Sequence, residues 1–318
     1  MKFLLFLKKG FENFFQWFLI LLVIVLFLAV LAYLIAALNL PFREETTVVT
    51  KGNLVRLNPT PTIFPPASPV PTQTPTPVPT LTPKEILKRM NEKYGQCRFV
   101  PILMYHHLLA NDEAKAKGAQ NLNVTPEIFE SQVNYFINKG YQTIFLDELM
   151  DGLKGNRQLP AKPLIITFDD SYKELYYVLF PLMKIKNFKA TVFVISQFLD
   201  GENYLSWSQL KEMASSNLLE VGGHGLNHLV LSEKSGEEFI RNQIVSSQKI
   251  INERSGRPVK VFAYPYGAYN ATAEKVLREA GFTAAVRSSG GVNPVCAGLP
   301  YEIPRIRIGN AALSHFGL

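Results

Sequence analysis

Cysteine is nearly absent from this chain: Cys97 and Cys296 are the only two, and no Cys-x-x-Cys pair occurs. That excludes a dithiol redox motif and a cysteine zinc knuckle. An exported domain could join the two, but sequence does not bring their Cα atoms together, so the pairing stays open. Histidine is scarce too, five in 318 residues, so a useful spacing between any two is informative. No run of five basic residues occurs, although 33 Lys+Arg exceed 26 Asp+Glu and leave a net charge of +7. Charge spread in this way reads as a solvated surface and argues against nucleic acid as a partner. No internal repeat is found. Hydrophobic residues make up 47% of the chain, the ordinary globular level.

Charge is missing altogether from Phe14 to Leu40, FFQWFLILLVIVLFLAVLAYLIAALNL. A bilayer core takes roughly 20 apolar residues as a helix, and a cleaved signal peptide has only about 7–15, so the run predicts an uncleaved signal anchor. Lys2, Lys8 and Lys9 precede it, which favours a cytoplasmic N-terminus over 1–13 and places the rest of the chain outside the cytoplasm. Asn58 to Pro83 is a Pro/Thr tract with almost no charge. Proline supplies no amide donor and fixes φ, so the tract predicts an extended polyproline spacer. The expected organisation is therefore a single-pass anchor at 14–40, a linker and lead-in helix at 41–97, and a folded domain at 98–318.

In that domain strands and helices alternate. Val100–Tyr105, Tyr141–Phe145, Leu164–Phe168, Ala190–Ile195, Leu219–Val221, Val259–Tyr264 and Thr283–Val286 read as strands. Lys84–Tyr94, a helix capped by Thr125-Pro126, Tyr172–Lys186, Trp207–Ser216, Glu237–Arg254 and Ala271–Ala280 read as helices. Alternation of this kind predicts a parallel sheet or a (β/α) barrel, with chemistry at the C-terminal ends of the strands.

Four strand ends carry titratable or turn-forming residues. Leu164–Phe168 runs into Asp169-Asp170. Adjacent acids repel, so one can bind a cation while the other acts as a base; alternatively they are an exposed pair capping the next helix. Leu219–Val221 is followed by Gly222-Gly223-His224-Gly225-Leu226-Asn227-His228, whose histidines four apart can meet on one metal. Asp170, His224 and His228 would form a two-histidine, one-carboxylate set with positions left for water and substrate. In Phe262-Ala263-Tyr264-Pro265-Tyr266-Gly267, a backbone N–H in the turn can face an oxyanion. Pro101-Ile102-Leu103-Met104-Tyr105 ends in His106-His107, and His106 could act as a general acid. Taken singly, the last two are as readily an aromatic turn and a structural histidine.

Taken together, PILMYHH, ITFDDSY, ATVFV, WSQLKEM, HGLNH, AYPYG, EAGF and PRIRI, in this order over about Phe99 to Arg307, resemble the polysaccharide deacetylases of the NodB-homology group. That group is carbohydrate esterase family 4, and the similarity is greatest to its poly-N-acetylglucosamine deacetylase branch. The resemblance implies a distorted (β/α)7-type barrel and hydrolysis of N-acetyl groups on an extracytoplasmic polysaccharide. It implies one divalent metal, with zinc the expected ion, on Asp170, His224 and His228. It further implies Asp169 as base, the Tyr266 N–H at the oxyanion, and His106 as acid. The sequence departs from the pattern in places. Ser171 stands where glycine is usual, and Gly223-His224-Gly225 replaces Ser-His-Thr, losing two hydroxyls. Ala263-Tyr264 offers no arginine before Pro265, so Arg305 is the candidate to restrain Asp169. His315 superficially fits a C-terminal acid motif but reads as a surface histidine. Rival readings are a silent glycan-binding barrel, an O-acetyl xylan esterase of the same fold, and a glycosidase in which the histidine pair has no role. The glycan and the oligomeric state are left open.

Overall fold

The computed structural model describes residues 81–232, 236–291 and 293–318. The expected anchor at 14–40 and the Pro/Thr tract up to residue 80 lie outside the described residues. Among the described residues no helix is long and apolar enough to cross a membrane.

The described strands are β1 (Cys97–Phe99), β2 (Ile102–Tyr105), β3 (Gln142–Thr143), β4 (Pro163–Phe168), β5 (Ala190–Val194), β6 (Leu219–Gly223), β7 (Val261–Ala263), β8 (Ala284–Gly290), β9 (Pro294–Cys296) and β10 (Ile303–Arg307). Seven of the parallel strands pair in the order β2-β10-β8-β7-β6-β5-β4, and β2 also pairs with β4, which closes the ring. This is the expected (β/α)7 barrel. A register shift between β8 and β10, where Ile303 faces Val286 but Arg305 faces Gly290, distorts it. The two-residue β3 joins the start of β4.

Side chains alternate across the barrel wall, as the strand period of two requires. On β4, Leu164, Ile166 and Phe168 pack outward against the helical layer, while Ile165 belongs to the barrel interior. Ile102, Phe193, Val261, Ala263, Ala284, Val286 and Ile303 share that interior. Phe193 fills it so closely that a Cβ on Gly222 would lie within 2.4 Å of its ring, which is why glycine stands there. Truncating a buried phenylalanine of this kind costs about 3–5 kcal/mol.

The outer layer follows the sequence expectations closely. Thr125 Oγ1 accepts from the Ile128 N–H at 3.4 Å and caps the helix Pro126–Asn138, whose Phe129, Val133 and Phe136 are buried. The lead-in helix Pro83–Tyr94 starts at Thr82, whose amide donates to Glu85 at 2.8 Å. Two expectations need correction. Tyr141–Phe145 is a strand only at Gln142–Thr143, and the chain then enters a helix, Leu146–Leu153. Its Leu146, Leu149, Met150 and Leu153 join the interior core and close the N-terminal end of the barrel. The expected final strand, Thr283–Val286, extends to Gly290 and is followed by β9 and β10.

β1 and β9 form an antiparallel ribbon in which Cys97 faces Cys296, and the two are joined as a disulfide. The pairing that sequence leaves open is thus made by two short strands the sequence reading lacks.

Candidate active site

Five strands, β2, β4, β6, β7 and β10, with the turns that follow them, bring the expected residues to one mouth of the barrel. Ile165, Thr167 and Asp169 are one inward series from β4, and Ile303 and Arg305 belong to another from β10. The cleft holds about 260 Å³ and is lined by Met104, His106, Asp169, Asp170, His224, His228, Tyr264, Tyr266, Ser288 and Arg307, among others. All seven of the site residues expected from sequence are here: six line the cleft, and Arg305 lies beneath it. Four of the chain's five histidines belong to this end of the barrel; the fifth, His315, is exposed in the turn Leu313–Phe316 and does not line the cleft.

Asp169 is held rigidly. Arg305 Nη1 and Nη2 donate to its two carboxylate oxygens at 2.7 Å each. Nη1 also reaches Thr167 Oγ1 at 3.0 Å, and Nε donates to the Arg287 carbonyl at 3.0 Å. Arg305 is only 1% exposed, so its charge is unscreened by water. Burial pushes the Asp169 carboxyl up, but Arg305 and then His224 outweigh it and hold it below the usual carboxylate range. A bidentate fork of this kind fixes direction as well as charge. Arg305 therefore occupies the restraining place that Ala263-Tyr264 leaves unfilled.

His106 Nε2 lies 4.0 Å from Asp169 Oδ2. Burial lowers its pKa, only partly opposed by the charges of Asp169 and Asp170. Its backbone is fixed on one side by β2 and on the other by His107, whose N–H donates to the Leu122 carbonyl at 3.1 Å.

Asp170, His224 and His228 offer ligand atoms that all lie within 4.8 Å of one another. Asp170 Oδ1 is 3.5 Å from His224 Nε2 and 3.4 Å from His228 Nε2. This oxygen is buried and has no hydrogen-bond partner. His224 Nδ1 is 2.7 Å from the Ala263 carbonyl. A carbonyl can only accept, so Nδ1 carries the proton and Nε2 presents its lone pair to Asp170. An orphaned carboxylate oxygen facing two imidazole nitrogens is a donor set that suits a divalent cation.

The loop carrying the histidines lacks the two hydroxyls of the usual motif, but another segment holds it. Gln243 Oε1 accepts from the Leu226 and Asn227 amides at 3.2 and 3.4 Å, and Ser247 Oγ donates to the Gly225 carbonyl at 2.9 Å. Both side chains are buried and sit in or beside the π turn Asn242–Ser246, a helical irregularity of the kind found at functional sites. Sequence reasoning missed them, because nothing in a helical pattern marks a glutamine that supports a loop fifteen or more residues upstream.

Four non-glycine residues with positive φ cluster here: Asp170 (68°), Ser171 (59°), His228 (59°) and Tyr266 (58°). Such strain persists only where the surroundings impose it, and it concentrates at functional sites. At Tyr266 the turn's own hydrogen bonds run from the Gly267 and Ala268 amides, at 2.8 and 3.2 Å, and do not engage the Tyr266 N–H. The Tyr266 ring covers His228, centroids 4.5 Å apart, and is 66% exposed.

Comparison with known proteins agrees with this geometry. Residues 156–285 match the polysaccharide deacetylase family. YxkH of Bacillus subtilis, whose name places it among the polysaccharide deacetylases, is 27% identical over 209 residues, covering 66% of this chain and 71% of that protein. The poly-beta-1,6-N-acetyl-D-glucosamine N-deacetylase of Staphylococcus aureus is 28% identical over 215 residues, covering 64% and 73%. Among solved structures, the Streptococcus pyogenes deacetylase PplD in complex with acetate superposes with a TM-score of 0.59 at 27% identity, covering 66% of this chain and 92% of that one. IcaB from Ammonifex degensii shares the fold, with a TM-score of 0.59 at 24% identity and coverage of 69% and 94%. With the barrel, the paired acids and the histidine loop in place, the described part of the chain is a polysaccharide deacetylase domain of the NodB type, carbohydrate esterase family 4.

Proposed function

We propose that the chain removes acetyl groups from N-acetylglucosamine units of a polysaccharide outside the cytoplasm, releasing acetate. The observation that carries this reading is the division of one cleft into two parts. Asp169 is locked on Arg305, and beside it Asp170, His224 and His228 converge with a carboxylate oxygen unpartnered.

The latter three would hold the divalent cation, zinc being the ion expected for such a set. When bound, it supplies a Lewis acid for the acetyl carbonyl and for the attacking water. Asp169 accepts the proton of that water; Arg305 keeps both its oxygens aimed and ionised. The Tyr266 N–H donates to the oxygen that becomes negative as the carbonyl turns tetrahedral. His106, across the cleft from the histidine loop, donates a proton to the leaving nitrogen. The amide C–N bond breaks, and acetate and a free amine leave.

The extracytoplasmic placement is supported by the uncharged run at 14–40 and by the Cys97–Cys296 disulfide, a bond that persists in oxidising compartments. The same run is proposed as a single-pass anchor. The S. aureus relative's name makes a β-1,6-linked N-acetylglucosamine polymer the first substrate to test. Acetate release should be measured on that polymer, on peptidoglycan, on chitin oligomers and on O-acetylated xylan, with and without a chelator. Release from an N-acetylated glycan, lost on chelation and restored by zinc, is expected. Release from xylan alone would make the enzyme an O-acetyl esterase, and release insensitive to the chelator would remove the cation from the account.

A further inference from the structure

Four side chains next to the cleft are tied together yet have no part in the chemistry above: His107, Tyr172, Glu174 and Tyr204. His107 Nδ1 lies 2.6 Å from Glu174 Oε1, and both residues are buried. The His107 ring stacks on Tyr172, centroids 3.6 Å apart and planes 22° apart. Tyr204 stacks on Tyr172 at 5.4 Å and 21°. Tyr172 is thus flanked by two rings, and its hydroxyl donates to Asp170 Oδ2 at 3.1 Å.

We propose that Tyr172 is the positioning residue of the cation site: its hydroxyl decides which oxygen Asp170 turns toward the histidines, and the His107–Glu174 pair keeps its ring in place. The proposal rests on the reading of Asp170, His224 and His228 as cation ligands.

A carboxylate beside two imidazoles can rotate and offer either oxygen. Here Oδ2 is occupied by the phenol, and it is Oδ1 that lies 3.5 and 3.4 Å from the two Nε2 atoms. Hydrogen bonds to the groups behind a ligand set its orientation and basicity in this way. Asp170 needs such a hold because its own backbone supplies little. Asp170 and Ser171 are consecutive residues in the left-handed region, where a non-glycine chain is poorly settled. The segment is pinned from outside instead. The Lys173 amide donates to the Asn203 carbonyl and the Leu205 amide to the Ser171 carbonyl, both at 3.0 Å, which brings Tyr204 against Tyr172. On the other face His107 belongs to the end of the strand that carries His106, and Val124 N–H donates to its carbonyl at 3.1 Å. Glu174, two residues beyond Tyr172, grips the same imidazole. One histidine thereby couples the His106 strand to the Asp170 turn.

The test is zinc affinity of the full-length chain, by competition with a chromophoric chelator, alongside the melting temperature of the metal-free protein. Tyr172→Phe keeps the ring stack and removes the hydroxyl. It should weaken zinc binding about 10–100-fold while leaving the metal-free melting temperature unchanged. Glu174→Gln should weaken zinc binding less, and should add little on the Tyr172→Phe background, since both act through one hydroxyl. His228→Ala, a ligand variant, should lose zinc. Wild-type affinity in Tyr172→Phe, with zinc lost in His228→Ala, would overturn the proposal and leave the cation site standing. A fall in melting temperature without a change in affinity would reduce the cluster to a staple and overturn it likewise. Full affinity in His228→Ala would remove the site itself and the proposal with it. Should Tyr172→Phe not fold, wild-type affinity in Glu174→Gln is the overturning result.

Discussion

The two ends of the barrel each hold a pair of acids, and the pairs are in opposite states. At the C-terminal end Asp169 and Asp170 face Arg305, His106, His224 and His228. At the N-terminal end Glu220 accepts from the Leu146 and Asp147 amides at 3.1 and 3.3 Å and from Thr191 Oγ1 at 2.6 Å. Among the described residues no ion pair reaches Glu220. Burial, and next the charge of Asp147, push its carboxyl up to about 8. Both pairs sit at an end of the same barrel, Asp169 and Asp170 just past β4 and Glu220 on β6 against Asp147 of the helix Leu146–Leu153, so burial alone does not make an acid pair a site. The surroundings do: the Arg305 guanidinium keeps Asp169 charged and aimed beside Asp170 and its two imidazoles, whereas the other pair is left to fasten a helix start to β6.

The comparison can be broken most forcefully at Arg305. Arg305→Met should leave Asp169 buried without a partner, a loss of about 3–5 kcal/mol in stability. Acetate release should vanish with it, and denaturant unfolding beside an acetate assay checks both. Unchanged stability would mean that the fork does not hold the pair.

Next in size is His106. Removing a positioned acid should lower turnover about 10²–10⁴-fold in His106→Ala with the metal content unchanged. His315→Ala, on the exposed C-terminal turn, should stay near wild type. Collapse in His315→Ala with normal turnover in His106→Ala would reverse the roles. The depressed His106 pKa also carries a sign. An acid must be protonated, so turnover should fall as pH rises through a value below the ordinary histidine 6.5, and a limb confined to alkaline pH would contradict it.

The smallest effect is expected at the other end. The folded Glu220 carboxyl keeps its proton up to about pH 8, whereas the unfolded one loses it near 4.5. The folded state therefore binds more protons in that window, so its stability is greatest below it and declines as pH rises through it. Glu220→Gln should flatten this decline and leave acetate release unchanged. Urea midpoints at several pH values are the check, and an equal slope in the variant would show that Glu220 does not carry it.

Much of the cleft was legible because strand ends and inward alternation are local properties. Asp169, Asp170 and His106 all follow recognisable buried strands, and Arg305 was legible from its motif even though β10 was not read as a strand. Proline at its second position and arginine at its third hide a strand whose interior charge is paired only across the barrel. The helix Leu146–Leu153 was hidden for a different reason. No serine, threonine, aspartate or asparagine caps it; Glu148 instead accepts from the Phe145 amide at 2.9 Å, and Glu220 comes from a distant strand to meet its first turn. Gln243, Ser247 and the stack of His107 and Tyr204 on Tyr172 were invisible because each joins residues far apart in sequence that only the folded barrel brings together.

The central claim is that two neighbouring acids at one end of the barrel divide the work, Asp170 binding the cation and Asp169 taking the proton. The most direct measurement is zinc content together with acetate release in Asp169→Asn and Asp170→Asn. The account predicts that Asp169→Asn retains zinc and has lost turnover, while Asp170→Asn has lost both. Zinc retained by Asp170→Asn and lost by Asp169→Asn would contradict it.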